Sequence, residues 1–298
     1  MWILLSLVSA FFNAAQLSAG KKLVKDFDSA VVTWLLFLVT FVLFSVVGFF
    51  MYRGVPWGNM AFLIGLFFAT IPYVFGTFVL VEATKRCDLS IVAPIMALTP
   101  VFLVIWEFLS LRTLPSGFGF LGIGLIVVGS YVLNLSKVGH GGFMGGIFEP
   151  IFSIFRRGYG LLPFIGTFAY SFSGIGAKYA LQYTDPFSFV TVMFSLSFVC
   201  ASIYFVWLLA LGRVRIGSEI FGHSLLFVIQ GGFSTLNSLT NNLAFVMAHA
   251  SYVIALKRTS ALFGVALGYL VFKEKKISER MIGAIVMVAG VAVLSIFG

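Results

Sequence analysis

Acidic residues are scarce in this chain. Asp and Glu together make 10 of its 298 residues, against 19 Lys and Arg. Asp26, Asp28, Asp88 and Asp185 all fall in predicted loops or helix ends. Glu82 and Glu107, the carboxylates inside long apolar runs, lie near the ends of those runs. No acid is therefore placed at a bilayer centre to relay protons, which argues against proton-driven extrusion through a central carboxylate. Cysteine is limited to Cys87 and Cys200, which form no spaced motif and read as structural thiols. His140, His223 and His249 are scattered over loops, so neither a metal site nor a His acid–base pair has support. A phosphate-cradling glycine loop is also missing, which leaves ATP hydrolysis by this chain without machinery. No cofactor is expected.

Apolar residues dominate what is present. The chain is 60% hydrophobic and 10% charged, with 36 Phe and a mean hydropathy of +1.09. Such a composition describes a polytopic membrane protein. Apolar runs long enough to span fall at 2–20, 29–51, 60–82, 88–110, 116–135, 159–181, 187–211, 222–246, 250–272 and 279–297. They are continuous instead of alternating, which excludes a transmembrane β-barrel. The first begins apolar at Trp2 and turns basic only at Lys21 and Lys22, the pattern of a spanning helix and not of a cleaved signal peptide. Pro72, Pro94 and Pro100 fall inside spans and are expected to kink them.

The halves repeat. On a shift of 161 residues Ala83 meets Ala244, Ser90 meets Ser251, Arg112 meets Lys273, Gly122 meets Gly283 and Gly129 meets Gly290. Nearer each start the shift is 157, and Lys21 meets Lys178 and Asp28 meets Asp185. An odd number of crossings inverts the second unit relative to the first. The fold expected is thus all-α integral membrane: ten transmembrane helices as two inverted five-helix repeats, residues 1–135 and 159–298, with a linker at 136–158.

The net charge of +9 follows this topology and does not call for nucleic acid. Lys21, Lys22, Lys25, Lys85, Arg86, Arg213, Arg215, Lys273, Lys275, Lys276 and Arg280, with Lys137, Arg156 and Arg157 of the linker, all belong to odd-numbered loops. The positive-inside rule makes those loops cytoplasmic and places both termini outside the plasma (inner) membrane, with Arg53 and Arg112 as minor dissent. The linker opens Gly-rich and continues Phe148-Glu149-Pro150 to Arg156-Arg157, which suits either a short interfacial helix or an ordered apolar loop.

The end of the second half carries Ala250-Ser251-Tyr252, Leu256-Lys257-Arg258-Thr259-Ser260, Gly268-Tyr269-Leu270-Val271-Phe272-Lys273-Glu274-Lys275, then Gly283 and Gly290. With the five-plus-five layout, this resembles the drug/metabolite transporter superfamily, in particular its EamA-like ten-helix members, over essentially the whole chain. The first half departs from the pattern by placing Thr113 where the second has Glu274, so Glu274 is expected to cap a loop or pair with a cation. In superfamily members that carry phosphorylated metabolites, a Lys-Arg pair on the ninth helix clamps the phosphate. Lys257 and Arg258 resemble that pair.

Two adjacent cations at membrane depth are costly and point to a cavity, a counter-ion or a ligand. With odd loops inside, Lys257 lies ~10 Å below the outer face at 1.5 Å per residue. Lys178 and Glu107 approach the same half, so Lys178, Lys257, Arg258 and Glu107 are expected to share one vestibule. Arginine offers a planar fork for carboxylate or phosphate and lysine a point charge. The bland alternative is a buried ion-pair network with Glu107 as counter-ion. Gln230, Ser234, Asn237 and Asn241 make a polar stripe on one face of the eighth span, with Asn242 beside it. That face must look inward, as a cavity wall or as interhelical glue. Ser9, Asn13, Gln16 and Gly20 make a weaker stripe on the first span, and Thr70, Tyr73 and Thr77 another on the third. Tyr170 and Ser173 complete the lining, and Tyr252, five residues before Lys257, is placed to close the outer mouth. Gly174, Gly176 and Ala177 allow close helix approach, as do Gly264 and Gly268, whose spacing suits an intramolecular crossing or a homodimer contact.

The function expected is alternating-access secondary transport of a small polar solute, anionic or zwitterionic, such as an amino acid, another carboxylate or a phosphorylated metabolite. Its contacts are assigned to Lys257, Arg258, Lys178, Gln230, Asn237, Asn241, Asn13, Gln16, Tyr73 and Tyr170, with Glu107 and Tyr252 as gate or counter-ion. The partners are that solute and the lipid bilayer. A rival reading is a quaternary amine or aromatic solute held by Trp34, Tyr73, Trp106, Tyr170 and Tyr252. An integral-membrane enzyme or lipid-handling scaffold lacks the His, Asp or Cys cluster it would need at an interface.

Overall fold

Asp28 and Asp185 open equivalent helices in the two halves. Asp28 accepts from the amide of Ala30 at 2.9 Å, and Asp185 from those of Phe187 and Ser188 at 3.0 Å each. Each thereby satisfies free N–H groups of a first helical turn. At the other end of the unit, Cys87 and Ala248 stop equivalent helices, their amides returning to Ala83 and Ala244. Both pairs keep the sequence shifts of 157 and 161, so the duplication is visible in the caps as well as in the residues.

The computed structural model describes residues 1–87, 89–135, 161–214, 218–272 and 281–297. Twelve α-helices appear among them: α1 (Trp2–Asp26), α2 (Ser29–Met51), α3 (Met60–Arg86), α4 (Leu89–Met96), α5 (Thr99–Leu111), α6 (Gly117–Leu135), α7 (Leu161–Ala180), α8 (Pro186–Ala210), α9 (Ser224–Met247), α10 (Ala250–Lys257), α11 (Ser260–Phe272) and α12 (Met281–Phe297). A 3-10 turn at Ser218–His223 leads into α9. α4 with α5, and α10 with α11, are each two halves of one span, so the helices make ten crossings. The linker 136–158 with Arg156 and Arg157, the residue Asp88, and the loop carrying Lys273, Glu274, Lys275, Lys276 and Arg280 lie outside the described residues.

The main packing partners are α3 with α7, α1 with α9, α6 with α12 and α2 with α8. Exchanging the halves turns the first pair into the second and returns the other two to themselves, as a pseudo-two-fold axis in the membrane plane requires. Every one of these pairs is antiparallel. A Cβ on Gly65 would sit 2.8 Å from the amide of Ala180, while one on Gly76, eleven residues later, would sit 3.2 Å from the carbonyl of Gly166. α6 and α12 cross through glycines related by the repeat. Gly122 faces the carbonyl of Gly290, and Gly129 faces that of Gly283. Small residues at these crossings let backbones approach where lipid supplies no hydrophobic drive. Gly264 does not mark such a crossing, because the space beside its Cα is open. Large apolar side chains such as Phe49, Phe50, Ile203, Leu225 and Ile282 form the outer rim.

Both termini lie on one face. Trp2 stacks on Tyr252, and the carbonyl of Phe297 accepts from Ser116 at the start of α6. This is the terminal face. The opposite, basic face carries Lys21, Lys22, Lys25, Lys85 and Arg86.

Candidate solute-binding site

The spans expected at 88–110 and 250–272 are interrupted, and at equivalent places. α4 gives way to α5 at Ala97-Leu98, and α10 to α11 at Arg258-Thr259, again 161 residues apart. Pro100 stands in the first turn of α5, where its missing N–H costs nothing. The second break has no proline. There the amide of Arg258 is shared between the carbonyls of Ile254 and Ala255, and Thr259 donates its hydroxyl to Leu256 at 2.7 Å. Thr99, one residue beyond the position equivalent to Thr259, makes a similar bond to Met96, also at 2.7 Å. The breaks differ in charge: Met96 and Ala97 stand where the second half has Lys257 and Arg258.

From Ala250 at the terminal face, α10 descends about 11 Å to Lys257 at 1.5 Å per residue. The cations therefore enter the bundle roughly a third of the way through a ~30 Å hydrocarbon layer. Both are half-buried. Among the described residues neither forms an ion pair, and Nε of Arg258 is buried without a partner. Arg258 lies within electrostatic reach of Tyr170 on α7. The Tyr170 hydroxyl is 3.0 Å from Oγ1 of Thr77, and its ring stacks on Tyr73 with centroids 5.7 Å apart. Tyr73 in turn faces Ser234 and Ser238 of α9. Helices α3, α7 and α9 and the α10–α11 break thus bring Tyr73, Tyr170, Ser234 and Arg258 to one place.

The polar stripe of α9 divides in two. Asn237 is engaged: its Oδ1 accepts from Ser9 at 2.8 Å, and its Nδ2 donates to Gln16 at 3.2 Å and reaches Asn13 at 3.5 Å. Asn13 also donates to Ser260 at 3.1 Å. These side chains tie α1 to α9 and to α11. By contrast, Oε1 of Gln230, Oγ of Ser234 and Oδ1 of Asn241 and Asn242 are buried without a hydrogen-bond partner among the described residues, as are the hydroxyls of Thr70 and Thr167. A buried polar atom left unpaired costs roughly 1–3 kcal/mol. Ser234 is brought toward Arg258 through Tyr73 and Tyr170, whereas Gln230 lies a turn further toward the basic face. Thr167 and Ser238 were not singled out by sequence. Thr167 lies one turn before Tyr170 and Ser238 one turn after Ser234, so helical spacing could have found them.

Lys178 and Glu107 sit elsewhere, not in one vestibule with the pair. Lys178 donates to the carbonyls of Phe245 and Ala248 at the end of α9. Glu107, fully buried, accepts from the amides of Ala250 and Ser251 at the start of α10. A carboxylate at a helix N-terminus is satisfied by backbone N–H groups and needs no side-chain cation. Tyr252 accepts from the amide of Ser116 at 3.0 Å and lies beside His249. Ser173 donates to the carbonyl of Ala69 at 2.8 Å, joining α7 to α3.

The aromatic residues expected of a cage disperse. Trp34 donates to Ser202 and stacks on Phe205, Trp106 donates to Ser171 and packs on Phe172, and Tyr252 is held at the terminal face. Of the five, Tyr73 and Tyr170 come together. Among the described residues no group of three His, Cys, Asp or Glu side chains is placed to hold a metal ion.

Comparison with known proteins gives the same picture of the fold. The sequence pattern of the EamA-like transporter family matches residues 1–135 and again 157–296. A solved crystal structure, described only as that of a protein, superposes over 98% of this chain and 95% of its own with a TM-score of 0.68 and 17% identity. No curated protein matches the chain.

Proposed function

Starting from the fact that this chain belongs to the EamA-like transporter family, and is a multi-pass membrane transporter and not an enzyme, we propose that its solute is small, polar and negatively charged or zwitterionic. The observation that carries the proposal is the Lys257-Arg258 pair at the α10–α11 break, which has no carboxylate partner among the described residues and leaves Arg258 Nε unpaired. An anionic group supplies the missing charge. The guanidinium takes a carboxylate or phosphoryl oxygen pair through its planar fork, and the ammonium adds a point charge. Ser234, Asn241 and Asn242 then offer free acceptors to the hydroxyl or amine hydrogens of the solute's remainder. Gln230 stands nearer the basic face on the same stripe and extends that wall. Asn237, Asn13, Gln16 and Lys178 serve the solute indirectly, by fixing the helices that carry these groups.

Transport follows from the inverted halves. Rocking of one against the other exposes the cation pair to each side in turn. With no carboxylate at mid-membrane among the described residues, exchange or facilitated diffusion is the mode that fits. The distribution of basic residues supports a cytoplasmic basic face, with the termini outside a plasma membrane.

The test is flux into proteoliposomes of labelled amino acids, dicarboxylates and sugar phosphates, with neutral sugars and quaternary amines as controls. Saturable uptake confined to anionic or zwitterionic solutes, and lost in Lys257→Gln, supports the reading. Uptake of the neutral or cationic controls alone overturns it.

A further inference from the structure

The inverted repeat offers each mouth of the passage as a control for the other. Lys178 and Lys21 hold equivalent positions. Lys178 binds the last carbonyls of α9, with Ala248 at 2.8 Å. Lys21 is exposed, and its side chain makes no hydrogen bond among the described residues. Glu107 is likewise without a counterpart, because the equivalent position in the second half is Gly268, which has no side chain to offer. At the terminal face the Glu107 carboxylate accepts from the Ala250 amide at 2.6 Å, the Ser251 amide at 3.3 Å and the Ser251 hydroxyl at 2.5 Å. His249 Nδ1 is 3.6 Å away, and Lys178 lies within the field of the same carboxylate. The α9–α10 turn is therefore gripped twice: on its carbonyl end by an ammonium from α7, and on its amide end by a carboxylate from α5. Both charges complement the helix ends they touch. Glu107 belongs to the first half and α10 to the second, so this bond also joins the halves.

We propose that Glu107 and Lys178 form a clasp, without an equivalent in the other repeat among the described residues, that holds the passage shut at the terminal face, so that the resting protein opens toward the basic face. The proposal rests on the alternating-access reading above. α10 is the lever. It is a single helix of eight residues with the clasp at Ala250 and Ser251 and the solute cation Lys257 at its other end, so an anion that pulls on Lys257 also loads the clasp. Opening toward the terminal face requires the carboxylate to release both backbone amides together.

The experiment reads access and not flux. Ser234→Cys is introduced with Cys87→Ser and Cys200→Ser, and a membrane-impermeant maleimide is applied from either side of oriented vesicles. The unaltered clasp is expected to give faster labelling from the basic face. Glu107→Gln and Lys178→Met are expected to raise the terminal-face rate by roughly tenfold or more, the shift that loss of charge-assisted hydrogen bonds brings to a two-state equilibrium. Ser251→Ala removes one of the bonds without touching a charge and is expected to give a smaller shift of the same sign, which keeps the test informative if a charge variant does not fold. Equal or faster terminal-face labelling with the clasp intact, or rates unmoved in all variants, overturns the proposal. Labelling is independent of which solute is carried, so the clasp can fail while flux still depends on Lys257, and the reverse.

Discussion

Ser9 on α1 donates a 2.8 Å hydrogen bond to Oδ1 of Asn237 on α9, while Asn241, one turn further along the same face, keeps its Oδ1 unpaired. The two asparagines look alike in sequence and are expected to fail differently. Asn237→Leu strands Gln16, leaves Ser9 only the backbone carbonyl of residue 237 at 3.2 Å, and should lower stability by about 1–3 kcal/mol. It should appear as an earlier thermal transition in detergent. Asn241→Ala removes an unpaired carbonyl and should leave that transition in place while raising the KM for flux. The reverse pattern would mean that the roles are exchanged.

Arg258 and lysine are not equivalent at this site. Arg258→Lys keeps the charge and removes the fork, so transport of a carboxylate or phosphate solute should fall by roughly tenfold or more in kcat/KM, the cost of one charge-assisted hydrogen bond. Unchanged kinetics would indicate that charge alone is read.

The α6–α12 crossing is, with the α3–α7 contact at Gly176, among the tightest backbone approaches of the fold. A Cβ on Gly129 would sit 2.6 Å from the Met287 amide, and one on Gly283 2.5 Å from that of Leu133. Gly129→Leu should cost more than the 1–3 kcal/mol typical of overpacking, because backbone and not a flexible side chain is in the way, roughly enough to empty the folded monomer peak in size exclusion. Gly124→Leu, which meets open space, should be tolerated.

The Asp185 cap gives a pH signature. Burial acts to raise its pKa, but hydrogen bonds from Ser188 and Phe187 and the nearby Arg53 outweigh it and hold the carboxyl below the usual carboxylate range. Its contribution is therefore complete above an unfolded carboxylate pKa of about 3.9 and is lost as pH falls through the lower folded value. Asp185→Ala should cost ~1 kcal/mol near neutral pH and progressively less in acid below that window. Thermal scans between neutral and acidic buffer would check the convergence.

The ten crossings, the inversion and the equivalence of the halves were legible because hydropathy and glycine spacing report directly on lipid and on helix crossings. The break after α4 was half legible: Pro100 marks it, though as a kink in one helix. The break after α10 carries no proline, and only shifting the first break by the repeat would have exposed it. The site was less legible. Sequence puts Glu107 in the same half of the bundle as three cations, but a helix start such as Ala250 can satisfy a carboxylate without one, and which helix begins opposite Glu107 is a tertiary fact. The α9 stripe was correctly placed inward, yet periodicity cannot tell Asn237, paired across to α1, from Asn241, left free.

The most direct test of the account is equilibrium binding of the transported anion to purified protein, compared between the native chain and Lys257→Gln and Arg258→Gln. If the pair at the α10–α11 break holds the negative group, each variant should bind at least about thirtyfold more weakly, the lower end of what truncating one partner of a buried charge pair costs. Affinity preserved within about twofold in both variants would contradict it, since that is well below a single charge-assisted bond.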